Sequence, residues 1–210
     1  MTGDGSGRTA PAGDRRPVKK GRRHYGIVVC VGCTLALFCV IGTACSAFSA
    51  FLPYVVAERG LTKTQASMII TIRNLVSLLT MILVVRRYYL KMSLRAGTAL
   101  AVCLSAAAFV IFAVSRTCTG FYIGAILAGI AYGTGGTIPV SILINRWFTS
   151  HRTLALGLCS AGTGIAVIAE PPVIAALIAQ FSLQTAFLVF AFLIALAAAG
   201  IFCTLRDSPD

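Results

Sequence analysis

Six long apolar runs constrain this chain more than any other feature. They lie at Ile27–Val56, Thr64–Val85, Ala96–Val114, Phe121–Ile144, Leu154–Ile178 and Thr185–Leu205. A helix rises ~1.5 Å per residue, so about 20 apolar residues cross a ~30 Å hydrocarbon core. Every run is long enough to span as a helix, and a protein lying on the membrane surface is excluded. The first run is over-long; it is expected to tilt, or to end near Pro53, because the residue before a proline avoids helical geometry. The expected fold is all-α: a polytopic membrane protein with six transmembrane helices over residues 25–205. A basic, disordered cytoplasmic tail at 1–24 and a short cytoplasmic tail at 206–210 complete the division.

Composition agrees and removes most chemistry. Charged residues make up 11% of the chain and hydrophobic ones 58%, too few charges to cover a soluble domain of this size. Only six acidic residues are present (Asp4, Asp14, Glu58, Glu170, Asp207, Asp210), so most acid–base and metal chemistry lacks its raw material. No serine-nucleophile motif, no HExxH and no paired intramembrane aspartates occur, so an intramembrane enzyme is disfavoured and no cofactor is expected. Cys30 and Cys33 form a C-x-x-C, but no second pair or histidine cluster completes a zinc site; His24 stands alone nearby. Seven of the eight cysteines lie in apolar runs and read as small hydrophobes.

The net charge of +12 records orientation rather than nucleic-acid binding. Seven basic residues crowd the first 24 positions, in a segment with almost nothing to bury. Counting Lys and Arg on alternate sides gives fourteen on the side of the tail, with Arg86, Arg87, Lys91, Arg95, Arg146, Arg152 and Arg206. Three lie opposite, at Arg59, Lys63 and Arg116, while Arg73 falls inside a span. The positive-inside rule then puts both termini in the cytoplasm, in a plasma (inner) membrane. The first apolar run exceeds the ~7–15 residues of a cleavable signal core, so it is expected to remain in the mature chain.

Glycines four apart, Gly120 with Gly124 and Gly129 with Gly133, predict close helix packing in the fourth span. Gly133, Gly135 and Gly136 are not followed by the Lys-Ser/Thr of a phosphate loop. In the fifth span, Glu170-Pro171-Pro172 removes two backbone donors and predicts either a break of the kind transporters use at binding sites or a kink packed against a neighbour.

Arg73 and Glu170 are the only charges well inside spans. Mid-bilayer placement costs about 2.5–3.5 kcal/mol on insertion scales, so such groups usually have a partner or a task. Three readings stay open. The two could pair as a structural bridge; Arg73 could bind an anionic substrate through its planar fork; or Glu170 could carry a proton. Asn74 could add a hydrogen bond beside Arg73, although helix neighbours point about 100° apart. Arg73, Asn74 and Glu170 are therefore the candidate substrate-binding residues.

The segment Asn145–Gly162, NRWFTSHRTLALGLCSAG, resembles the link between the fourth and fifth helices of major facilitator transporters. The likeness is to the monocarboxylate-transporter and oxalate–formate antiporter-like branch. It is carried by Trp147-Phe148, His151-Arg152, Leu154-Ala155, Gly157 and Ala161-Gly162. The segment between the second and third spans, Arg86–Arg95, keeps the family's basic character without its Gly and Asp. The resemblance implies one half of that fold, a 3+3 inverted repeat. It also implies secondary transport of a small solute, of the organic-anion class, by alternating access. The implied partners are the lipid bilayer, the solute, and a second six-helix half or a second copy in a homodimer. The rival reading is a transport-incompetent membrane subunit or scaffold.

Overall fold

The computed structural model describes residues 30–83, 94–147 and 152–204. The tails at 1–24 and 206–210, the Arg86–Lys91 bases and Phe148–His151 of the family-like segment lie outside the described residues.

Among the described residues six helices are long and apolar enough to cross a membrane. Helix α1 covers Cys30–Arg59, α2 Lys63–Leu83, α3 Leu94–Val114, α5 Arg152–Gln180 and α6 Leu183–Thr204. Helix α4 comes in two parts, Cys118–Gly135 and Thr137–Trp147, separated by Gly136. Pro139 falls in the first turn of the second part, where a missing N–H costs little. Helix α1 does not end at Pro53. It runs on to Arg59 and stops at Gly60, whose φ of 66° provides the left-handed residue that closes many helices.

Short turns set the boundaries at one end of the bundle. Thr62 and Gln65 form a capping box: the Thr62 N–H donates to Gln65 Oε1 at 2.9 Å, and the Gln65 N–H to Thr62 Oγ1 at 3.2 Å. Ser182 caps α6 by accepting from the Thr185 N–H at 3.1 Å.

Seven phenylalanines fill that same end. Phe48 and Phe51 from α1 meet Phe109 and Phe112 from α3, Phe121 from α4, and Phe187 and Phe190 from α6. Phe51 and Phe187 stack with centroids 4.1 Å apart. Lipid supplies no hydrophobic force between helices, so ring packing of this kind, together with close backbone approach, holds the bundle.

Backbone approach follows the glycines and small residues. On α4, a Cβ at Gly129 would lie 2.6 Å from the Arg73 carbonyl oxygen, and one at Gly133 would lie 2.8 Å from that of Ser77. On α1, a Cβ at Gly42 would overlap the Ala166 side chain, and Gly162 of α5 faces Thr34 at 2.6 Å. Contact positions rise together along both pairs, so α1 runs parallel to α5 and α2 parallel to α4. Exchanging α1–α3 for α4–α6 maps one pair onto the other and leaves α3 against α6, which also pack extensively. This is a 3+3 inverted repeat.

Candidate functional site

The buried stripe of α2 is Ala66, Ile69, Arg73, Ser77 and Thr80; that of α5 is Ala155, Cys159, Gly162, Ala166, Glu170 and Ile174. Ala66 to Ser77 and Cys159 to Glu170 step by three, four and four residues, the spacing of one helix face. In this register Arg73 corresponds to Ala166, and Ser77 to Glu170. Each repeat thus carries one ionisable group on its glycine-facing stripe, offset by a single turn. Arg73 is the middle residue of α2, and Glu170 lies four residues, ~6 Å, beyond the middle of α5.

The structure does not bring these two charges together. Glu170 is 4% exposed and accepts a hydrogen bond at 2.9 Å on Oε1 from the Thr43 hydroxyl of α1. Its Oε2 is buried and has no hydrogen-bond partner. The structural bridge considered from sequence is therefore not formed. Arg73, 6% exposed, donates from Nη2 to Asn74 Oδ1 at 3.1 Å. Asn74 itself is exposed. A long arginine side chain bridges the angular gap between helix neighbours, so the two form one polar unit at the edge of the buried stripe.

Thr43 was not among the residues singled out from sequence, and its position depends on an irregularity in α1. Residues Phe38–Ala47 are wound as a π-helix, a wider coil that often marks functional positions. Within it the Thr43 hydroxyl also lies 3.3 Å from the Phe38 carbonyl, five residues back. Gly42, adjacent, lets α5 come close enough for Glu170 to be reached. The sequence signal was a Gly-Thr pair, one of several small polar positions in a mostly apolar run.

Pro171 and Pro172 do not break α5; the helix is continuous from Arg152 to Gln180. Their effect is limited to the carbonyls of Val167 and Ile168, which have no proline N–H to receive.

Glu170 also borders a cavity of about 480 Å³ between α1, α5 and α6. Phe38 and Leu35 of α1, Val173 of α5, and Phe190, Leu193 and Ala197 of α6 form most of its wall. Among the described residues no cluster of His, Cys, Asp and Glu has metal-holding geometry. Cys30 and Cys159 do meet, sulfur to sulfur at 3.5 Å, joining the start of α1 to α5.

The described residues thus form an all-helical bundle of six helices, each long and apolar enough to cross a membrane, arranged as an inverted repeat. Residues 33–210 match the Major Facilitator Superfamily, and the chain belongs to that family of solute transporters. A bacterial homologue of the human lysosomal transporter Spinster, captured inward-facing and unoccupied, superposes with a TM-score of 0.69 at 14% identity. The match covers 91% of this chain and 44% of that one, so the chain spans less than half of that transporter's length. No curated protein matches the chain in sequence.

Proposed function

We propose that this chain is one six-helix half of a secondary transporter that carries a small organic anion by alternating access against a second six-helix unit. The observation that carries the anion reading is Arg73, a cation buried at mid-helix and held by Asn74. A guanidinium presents a planar fork suited to a carboxylate, and a charge this costly to bury in lipid usually serves binding. The family-like segment around Trp147 and Gly162 supports the monocarboxylate and oxalate–formate branch as the source of substrate class. Glu170 is the coupling carboxyl, seated in the helix pair equivalent to the one that holds Arg73.

The second unit is a separate chain, a second copy, or a further segment of the same polypeptide. It rests on α2 and α5, the two least covered helices. The assembly lies in the plasma (inner) membrane with both termini cytoplasmic, as the fourteen-to-three distribution of basic residues supports.

A ligand that binds the folded state raises its thermal stability. The test is the shift in unfolding temperature of the purified assembly with formate, lactate and oxalate, in the native protein and in Arg73→Gln and Arg73→Lys. A carboxylate is expected to stabilise the native protein, the lysine variant partly and the glutamine variant not at all. Equal stabilisation of native and Arg73→Gln protein would remove Arg73 from the site. No stabilisation by any carboxylate would favour the non-transporting subunit.

A further inference from the structure

We infer that the cavity between α1, α5 and α6 is a lateral binding site for a lipophilic amine, whose protonated nitrogen pairs with Glu170 while its apolar body fills the groove. The proposal is independent of the transport reading, because the site is complete within this half and is read by binding alone.

The inference starts from the asymmetry of the repeat. The inverted twin of this cavity would lie between α4, α2 and α3. There α3 and α4 close on each other: a Cβ at Gly124 would come within 2.5 Å of the Phe112 ring, and one at Gly135 within 2.5 Å of the Ala101 methyl. On the α1 and α6 side the small residues face space instead. A Cβ at Gly200 would meet nothing within 4 Å, and Gly200 lines the cavity. The groove is therefore open at Gly200, where α3 and α4 of the other repeat meet closely at Gly124 and Gly135.

The gap opens sideways. Leu193, Leu196 and Val173 at its rim are 54%, 62% and 49% exposed, all on the apolar flank of the bundle. A ligand entering there comes from the hydrocarbon, so its body must be lipophilic. About 480 Å³ is within the usual range for a small-molecule site.

The head group follows from the chemistry of the wall. The polar side chains lining the cavity are Thr43, Glu170 and the thiol of Cys39, and the Thr43 hydroxyl is already spent on Glu170 Oε1. What remains is Oε2, buried and without a partner, on a residue more than nine-tenths buried. An anionic ligand would set like charges together. A hard divalent cation needs six or more oxygen ligands, and one carboxyl and one hydroxyl cannot supply them. An alkyl chain alone would fill the groove and leave the oxygen orphaned, a state buried acceptors rarely tolerate. A protonated amine supplies both the missing donor and the opposite charge, and needs no further polar group.

The test uses the full chain in phosphatidylcholine nanodiscs and an alkylamine carrying a diazirine, with the labelled peptide located by mass spectrometry. Dodecylamine, dodecanol and dodecanoate serve as competitors with identical bodies and different heads. Saturable labelling of the α6 segment Leu193–Gly200 is expected. Dodecylamine should compete about tenfold or more better than the alcohol or the acid, as a charge-assisted hydrogen bond implies. Glu170→Gln should erase that preference. Gly200→Leu, which fills the groove away from the Glu170–Thr43 pair, should abolish labelling while unfolding remains that of the native protein. Non-saturable labelling, equal competition by the three heads, or labelling unchanged in Gly200→Leu would overturn the proposal.

Discussion

A methyl placed on Gly42 tests the closest contact between α1 and α5. The new carbon would overlap the Ala166 side chain, with Glu170 Oε1 4.0 Å from the same point. Ala166 has no flexible tip to swing aside, so the two helices must separate, and overpacking of this kind costs about 1–3 kcal/mol. Ala166→Gly alone loses a methyl contact and about 1 kcal/mol of helix propensity. Together, Gly42→Ala and Ala166→Gly exchange the methyl from one helix to the other and restore the volume. The double variant should therefore be more stable than the sum of the singles by about 1–2 kcal/mol, within the range seen for touching residues. Reversible unfolding in mixed micelles, by titration with dodecyl sulfate, measures all four proteins. Additivity within about 0.3–0.5 kcal/mol would mean that the two positions do not touch, and the α1–α5 pairing would be refuted.

Three further outcomes are expected. Thr43→Val removes the hydroxyl that donates to Glu170 Oε1 and should cost about 1–3 kcal/mol, with Thr43→Ser close to native; the same unfolding titration checks it. Phe51→Ala removes a ring that touches Phe109, Phe187 and Phe190 and leaves a cavity, so it should cost about 1–3 kcal/mol, several times the effect of Phe192→Ala, whose ring is 67% exposed. Copper-phenanthroline oxidation in membranes should join Cys30 to Cys159, their sulfurs being 3.5 Å apart, while exposed Cys103 stays alkylatable; peptide mapping would detect the link, and two free thiols there would contradict the contact.

Span number and most helix limits were legible because lipid demands length and apolarity, both of which are local. The capping box at Thr62-Lys63-Thr64-Gln65 is equally local, but was not among the expectations drawn from the sequence. At the prolines the sequence left two outcomes open each. Pro53 allowed a tilted helix or an end, and the Pro171-Pro172 pair a kink or a break; each sits within a helix that continues. In lipid a severed helix exposes more backbone than the few carbonyls a proline leaves without donors, so continuity wins. The interruptions fall instead at Gly136 and in the π-wound stretch Phe38–Ala47, where the sequence offered only glycines and a threonine.

Of the three readings of Arg73 and Glu170, the bridge between them is the one that azimuth decides. Both residues lie well inside their spans, but position along a helix does not say which neighbour each stripe faces. Pairing of α2 with α4 and of α5 with α1 sends the two groups into different interfaces. Thr43 and the Cys30–Cys159 contact depend on the same tertiary pairing, between residues 127 and 129 positions apart, and no local pattern announces them.

Movement of a carboxylate across a sealed bilayer tests the transporter reading most directly. The assembly containing this chain and a second six-span unit is placed in vesicles preloaded with unlabelled substrate, and uptake of labelled substrate is followed. Saturable counterflow is predicted, lost in Arg73→Gln and reduced in Glu170→Gln. Uptake that never saturates, or that proceeds unchanged in both variants, would contradict it.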